Sequence, residues 1–253
     1  MCLIAFAWNA HPRWRLLLLG NRDEAHARPA AALARWDDAP RILAGRDLEA
    51  GGTWMGVSDD GRAGVVTNVR DPRASKDGAS RGFLVADYLR GTASAARHAQ
   101  ELHTGDVDFR PFNLLLFDAG EAFYLGNHPE RRLQAVEPGV HGLSNADFNT
   151  PWPKTRTLEE RLHAWLREGA VDDFEPLFEA LADDVRWPDH VLPDTGVGIA
   201  LERELSAAFI RGQRYGTRAS TVIAVDYQGR GCIIERRFGP GGKPLGESRL
   251  QLP

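Results

Sequence analysis

The sequence predicts an α+β protein built from two antiparallel sheets, each faced by a pair of helices. Three observations lead to this prediction: strand-like segments come in neighbouring pairs, helix-like segments also come in pairs, and the regular strand–helix–strand alternation of a parallel sheet is absent. With 253 residues the chain is long enough to bury a large core. We expect one domain over residues 1–253, with an exposed tail from about residue 239.

Apolar runs that end at turn residues predict the strands. Residues 2–8 and 13–19 are expected to form a first hairpin, whose second strand stops at Gly20. A second hairpin is expected around the Asp-Gly turn at residues 59–61. The remaining predicted strands are residues 113–117, 122–125, 220–225 and 232–236.

Apolar residues at helical spacing, together with capping residues, predict the helices. Ser80 is expected to cap a helix that ends at Gly91, and Thr157 with Glu160 fits a capping box. Asp172 is expected to cap the helix after that. Further helices are predicted over residues 94–103 and around residues 201–209.

Composition and missing motifs exclude several classes of function. Thirty-one basic residues against 35 acidic ones, a net charge of −4, disfavour a nucleic-acid-binding domain. Two cysteines, Cys2 and Cys232, are too few for a disulfide framework or a multi-cysteine zinc site. There is no HExxH, P-loop or Gly-x-Ser-x-Gly motif, so neither a metal nor a cofactor is expected. No targeting segment or membrane span is evident, and we expect a cytoplasmic protein.

Cys2 is the first candidate catalytic residue. Removal of Met1 would leave a cysteine with a thiol, whose ordinary pKa is near ~8.5, and a free α-amine, whose ordinary pKa is near ~7.7–8.0. The amine could then accept the thiol proton, as in N-terminal-nucleophile catalysis. Alternatively, Cys2 is a small apolar residue that opens a buried strand, and taken alone it fits this second interpretation better.

The polar run at residues 20–24 is the second candidate, because it follows an apolar strand. The charge of Arg22 could lower the thiol pKa, and Asp23 or Glu24 could orient the amine or Arg22. The alternative is a solvated turn closed by an ion pair.

Three more side chains could contact a substrate. Asn68 and Asn145 end apparent strands, and their amides could donate to a developing oxyanion, although turn formation is the commoner role of asparagine. Arg218 precedes another strand and could bind a substrate carboxylate or steady the nucleophile; its alternative is a surface arginine.

Five motifs in order resemble the NRDE family, also called the transport and Golgi organisation protein 2 family. The resemblance extends from residue 1 to about residue 237. The motifs are Met1–Phe6, Asn21–Glu24 with Arg28 and Pro29, Gly51–Gly56, Thr67–Arg70 and Tyr215–Arg218.

This resemblance implies an αββα four-layer sandwich of the N-terminal-nucleophile hydrolase type. The layout is more remotely similar to choloylglycine hydrolases and penicillin V acylases, which cleave non-peptide amide bonds with an N-terminal cysteine. It implies a nucleophile at Cys2, an electrostatic partner at Arg22, oxyanion donors at Asn68 and Asn145, and a second cation at Arg218. That branch has an aspartate three residues after its arginine, where this chain has Ala25, so Asp23 or Glu24 would have to substitute.

The sequence therefore predicts hydrolysis of a small amide through a thioester on Cys2. The alternative from the same resemblance is a non-catalytic carrier of haem or of an acyl-CoA or lipid ligand, since the family has been linked to haem mobilisation and lipid metabolism. Arginines in an apolar cleft could then face haem propionates, although no histidine is obviously placed as an axial ligand. A third possibility is a fold with neither activity.

Overall fold

The computed structural model describes residues 2–75, 77–168 and 172–253, and within them it contains thirteen strands and five α-helices. The strands are β1 (Cys2–Trp8), β2 (Trp14–Ala25), β3 (Ala30–Trp36), β4 (Ala39–Asp47), β5 (Met55–Ser58), β6 (Ala63–Asn68), β7 (Phe112–Phe117), β8 (Ala122–Gly126), β9 (Arg132–Ala135), β10 (Gly139–Leu143), β11 (Tyr215–Asp226), β12 (Gly231–Gly239) and β13 (Lys243–Leu252). The helices are α1 (Gly82–Arg90), α2 (Ala95–Thr104), α3 (Pro153–Glu168), α4 (Glu175–Leu181) and α5 (Ile199–Glu204).

The strands form two antiparallel sheets. Sheet A has six strands in the order β10-β1-β2-β11-β12-β13, and sheet B has seven in the order β3-β4-β5-β6-β7-β8-β9. Helices α3 and α4 pack on sheet A, whereas α1 and α2 pack on sheet B. The predicted αββα four-layer sandwich is therefore confirmed. None of the helices in the described residues is long and apolar enough to cross a membrane.

Strand β1 is buried on both faces, which explains why it reads as a continuous apolar run rather than an alternating one. Its even-numbered side chains, such as Phe6, pack between the two sheets against residues such as Phe117. Its odd-numbered side chains, such as Leu3, pack against α3 and α4, for example against Leu158. Because side chains alternate along a strand, Cys2 belongs to the row that faces the space between the sheets.

Strand β2 does not stop at Gly20, as predicted, but continues to Ala25. A side chain at Gly20 would place its Cβ 2.7 Å from the carbonyl oxygen of Leu3, so this glycine permits close approach to β1 rather than ending the strand. Arg22 pairs with Cys2 of β1 and with Ala219 of β11, and Asp23 and Glu24 pair with β11. The solvated-turn interpretation of these residues is therefore wrong.

Three helices, α1, α3 and α4, begin at residues other than those that the capping pattern predicts. Helix α3 begins at Pro153, so Thr157 lies inside it and forms no capping box. Helix α1 begins at Gly82 without a side-chain cap from Ser80, and α4 begins at Glu175 rather than after Asp172. The predicted helix over residues 94–103 is present as α2, capped by Ser94.

The C-terminal segment, predicted as a tail, contains β13, which pairs with β12 as an edge strand of sheet A. Most of its side chains are exposed. Pro244 and Gly246 interrupt the strand pattern in the sequence, and both occupy an edge, where such residues are tolerated.

Candidate active site

Cys2 and Arg22 lie directly opposite each other in the pairing of β1 with β2. They continue the row of side chains that fills the space between the sheets, but here apolar packing gives way to a cavity of about 240 Å³. Cys2 is 7% exposed, and that exposure faces the cavity it lines. The sulfur is therefore buried yet lies next to a space that can hold a small molecule.

Six of the seven site residues predicted from the sequence line this cavity, although they come from both sheets. Asn68 ends β6 in sheet B, and the others lie on sheet A. The six are Cys2, Arg22, Asp23, Glu24, Asn68 and Arg218. The seventh, Asn145, lies immediately behind them.

The two asparagines are hydrogen-bonded to each other and are not equivalent. The side-chain nitrogen of Asn145 donates to both the backbone and the side-chain oxygen of Asn68, each at 3.0 Å. The preceding residue, Ser144, donates its hydroxyl to the carbonyl oxygen of Cys2 at 3.0 Å. Among the described residues, the side-chain nitrogen of Asn68 makes only a long contact of 3.4 Å with the Val69 carbonyl. Asn68 thus offers a donor to the cavity, whereas Asn145 holds Asn68 in place.

Asp23 projects from the face of β2 opposite to Arg22 and is fully buried. Its side chain accepts a hydrogen bond from the Thr217 hydroxyl at 2.7 Å, and Tyr215 donates to its backbone carbonyl at 3.0 Å. Burial raises the pKa of Asp23, and the charge of nearby Lys154 opposes that rise. Asp23 is therefore a carboxyl group held in place on the face of sheet A opposite to Arg22.

A cluster of buried charges that the sequence analysis missed surrounds Asp23. Lys154 of α3 donates to the Leu205 carbonyl at 2.9 Å, and burial lowers its pKa to about 8. Arg70 and Glu202 form a buried ion pair of 2.6 Å. The spacing of these residues in the sequence does not indicate that they form a buried cluster. Lys154 in particular lies in the first turn of a helix, where a lysine is usually solvated.

Burial is the dominant influence on the Cys2 thiol and raises its pKa. Arg22 acts in the predicted direction and lowers the pKa, while Asp23 and Glu24 raise it. The resting sulfur is therefore protonated at neutral pH, and a base must take its proton as it attacks.

Two carboxylates, one on β2 itself and one on β4 of sheet B, hold Arg22. Its guanidinium lies 3.6 Å from Glu24 and 3.7 Å from Asp47 of β4, and Asp47 also accepts a bond of 2.7 Å from Arg28. Of the two acidic residues predicted to orient the site, Glu24 faces Arg22 and Asp23 faces away from it. Arg218 donates to the backbone carbonyls of Ala25 and Arg28.

Comparisons with known proteins place the chain in a family. The family model described as Transport and Golgi organisation 2 matches residues 1–240. The chain belongs to this family. The mouse Transport and Golgi organization 2 homolog is 31% identical over 93% of this chain and 92% of its own length, and the human homolog is 30% identical over the same shares. The Drosophila melanogaster family member is 26% identical over 98% of this chain and 95% of its own length.

Solved structures with the same fold are N-terminal-nucleophile hydrolases. Penicillin V acylase from Agrobacterium tumefaciens has a TM-score of 0.57 at 12% identity and covers 92% of this chain and 82% of its own. A mutant conjugated bile acid hydrolase from Clostridium perfringens has a TM-score of 0.55 at 9% identity and covers 99% and 92%. The N-acylethanolamine-hydrolyzing acid amidase ortholog of Caenorhabditis elegans has a TM-score of 0.52 at 11% identity, with coverage of 90% and 93%. At these identities the likeness concerns the fold alone.

Proposed function

We propose that this protein hydrolyses a small non-peptide amide with Cys2 as the nucleophile. The observation that carries the proposal is the convergence of the Cys2 sulfur, the Arg22 guanidinium and the Asn68 amide on one cavity. The fold that places a cysteine at the start of a central strand is also the fold of the amide-cleaving enzymes named above, which supports the same reaction class.

The proposed reaction proceeds through a thioester. After removal of Met1, the α-amine of Cys2 takes the thiol proton as the sulfur bonds to the amide carbonyl carbon. Asn68 donates to the oxygen that becomes negative, Arg22 adds positive charge, and Asp23 holds the protonated amine. The carbon–nitrogen bond breaks as the amine returns its proton to the leaving nitrogen. Water then attacks the thioester carbon and gives a proton to the amine. The carbon–sulfur bond breaks, the amine passes that proton to the sulfur, and a carboxylic acid is released.

The test combines intact mass with turnover. We expect the purified protein to lack the mass of Met1 and to release p-nitroaniline from a panel of small N-acyl p-nitroanilides. Cys2→Ala should abolish release and Cys2→Ser should slow it, whereas Cys232→Ser, which changes the other unpaired cysteine, should leave it unchanged. Retention of Met1, or full release by Cys2→Ala, would refute the proposal.

A second candidate is a carrier for haem or an acyl ligand, favoured by the many arginines that line the cavity, since guanidinium groups pair with propionates and phosphates. Two observations favour the hydrolase. The volume of about 240 Å³ is below the ~300–1,000 Å³ usual for pockets of drug-sized ligands. No histidine is among the described residues that line the cavity. A saturable Soret shift on titration with haemin would support the carrier, and a linear response would exclude it.

A further inference from the structure

We propose that the substrate of this site carries an anionic group, a carboxylate or a phosphate, and that Arg81 and Arg237 bind it. The anionic group defines the substrate class of the proposed hydrolase, and this part of the proposal rests on the proposed function. Binding of an anion to Arg81 and Arg237 does not, because it can be measured without turnover.

The cavity has an excess of positive charge. Its described lining contains seven arginines and four acidic residues, Asp23, Glu24, Asp47 and Glu235. Glu235 is itself buried, and it accepts a hydrogen bond of 2.8 Å from the Leu33 backbone. The lining therefore attracts anions and repels cations.

Three of the seven arginines already have carboxylate partners. Arg22 pairs with Glu24 and Asp47, as described above, and Arg28 shares Asp47. Arg46 lies 2.7 Å from Asp38, which is outside the cavity. These three cations already face carboxylates within the folded chain, so a ligand anion must compete with those carboxylates for them.

The other four arginines have no carboxylate within 4.0 Å in the part of the chain that the structure describes. They are Arg81, Arg110, Arg218 and Arg237. Arg110 is exposed, and Arg218 is held by backbone carbonyls. Arg81 and Arg237 are partly buried cations with no carboxylate at ion-pair distance among the described residues, although the charge of Arg237 opposes the rise that burial causes in the pKa of Glu235. A ligand carboxylate or phosphate in direct contact would offset the free-energy cost of burying these two cations.

Arg81 lies immediately before α1 and belongs to the sheet B side of the cavity. Within the described part of the chain its guanidinium makes one hydrogen bond, of 3.1 Å to the Pro111 carbonyl. Burial lowers its pKa. Arg81 and Cys2 line the same cavity, so a molecule attacked by the Cys2 sulfur can present an anionic group to Arg81.

Arg237 faces the cavity from β12 of sheet A. Its Nε is buried and has no hydrogen-bond partner among the described residues. The opposite position on β13 is Gly246, where a Cβ would lie 3.1 Å from the guanidinium. The absence of a side chain at Gly246 thus leaves room for Arg237. A planar fork of donors of this kind binds carboxylate and phosphate oxygens in pairs.

The rest of the lining restricts the size of the acyl group. Trp54, Phe238 and Leu245 supply apolar surface to the same cavity. A small apolar acyl segment beside a carboxylate or phosphate matches this combination of surfaces. The structure thus points to short anionic amides rather than to neutral long-chain ones.

The first test measures binding alone, in Cys232→Ser so that Cys2 is the only thiol. Acetate, phosphate or neutral acetamide is added, and chloride keeps the ionic strength constant and serves as the reference anion. The rate at which iodoacetamide alkylates Cys2 is then measured. We expect saturable protection by acetate or phosphate and none by acetamide, and the stronger of the two anions identifies the group. Protection equal to that of chloride would overturn the inference.

Substitutions then locate the anion. Arg81→Met and Arg237→Met should weaken the protection about 10–100-fold in concentration. Arg161→Met, at an exposed arginine of α3 remote from the cavity, should leave it unchanged. Should either methionine variant fail to fold, Arg81→Lys or Arg237→Lys keeps the charge but removes the fork, and a smaller loss is expected. Unchanged protection in all folded variants would overturn the assignment.

Turnover separates the inference from the proposed function. Succinyl p-nitroanilide and its carboxamide counterpart differ only in the anionic group, and we expect kcat/KM to favour the carboxylate about 10–100-fold. Hydrolysis of both at equal rates would refute the inference and leave the hydrolase standing. Anion protection without any hydrolysis would refute the hydrolase and leave the anion site standing.

Discussion

The side-chain amide of Asn145 bridges to both oxygens of Asn68, each at 3.0 Å, and so ties the end of β10 in sheet A to the end of β6 in sheet B. This bond spans the opening between the sheets beside Cys2. It gives the two asparagines different tasks, one contacting the cavity and the other holding its neighbour.

Asn68→Ala should lower kcat by about 10²–10³-fold with little change in KM, because the lost donor acts on the charge that develops during attack. Asn145→Ala should cause a smaller loss, since the donor remains but is less well held. The p-nitroanilide assay measures both variants. A greater loss in Asn145→Ala than in Asn68→Ala would reverse the assignment.

The Cys2 thiol should titrate above its ordinary pKa, because burial outweighs the charge of Arg22. In Cys232→Ser, the iodoacetamide rate should therefore rise with pH to a midpoint above that of a free thiol. Arg22→Gln should move this midpoint higher, since a charge that favours the thiolate is lost. A midpoint that stays the same or falls in Arg22→Gln would contradict this account.

Lys154 should make stability depend on pH. Its pKa of about 8 in the folded protein is below its ordinary value, so between the two the unfolded chain binds more protons and the free energy of unfolding rises with pH. From about pH 7.5 to pH 10, wild type should gain about 2 kcal/mol relative to Lys154→Met. Urea unfolding measures the difference. The exposed Lys243→Met is the control and should show no such gain.

Gly52 permits a backbone contact that positions Arg81. A Cβ at Gly52 would lie 2.5 Å from the carbonyl oxygen of Gly82, which accepts a hydrogen bond of 3.2 Å from Thr53. Gly52→Ala should destabilise the protein by about 1–3 kcal/mol. Gly120→Ala, where a Cβ would meet nothing within 4 Å, should be neutral or slightly stabilising. Equal effects of the two substitutions on thermal unfolding would disprove the contact.

The layered architecture could be predicted because the strands of the central sheets are long and apolar. The strands β3, β4, β9, β10 and β13 were not predicted. For β3 and β9 the reason is the opposite one, whereas β4 was missed although it buries Ile42, Leu43 and Ala44. Strand β9, for example, has no buried side chain, and β3 buries only Leu33 and Trp36. Where burial is slight, the sequence carries little hydrophobic signal for a strand.

The sequence indicated which residues belong to the candidate site, but not which of them contact the cavity and which position a neighbouring residue. Asn68 and Asn145 carry the same signal in the sequence, and only the pairing of strands across the two sheets distinguishes them. Arg81 was missed because it lies outside every motif considered, at the start of a helix where an arginine is usually solvated. Asp47 was missed because β4 itself was missed.

Strand β2 runs without interruption from the hydrophobic core into the cavity, carrying Arg22 between β1 and β11. Because Arg22 has a paired strand on each side, we expect its amide hydrogen to exchange with deuterated solvent more slowly than those of Asp23 and Glu24, which pair with β11 alone. Whatever reaction takes place beside Cys2, the position of Arg22 is as stable as the central strands of sheet A. Much of the cavity wall comes instead from sheet B and from β12 and β13 at one edge of sheet A, and it can change for a new substrate without altering that strand.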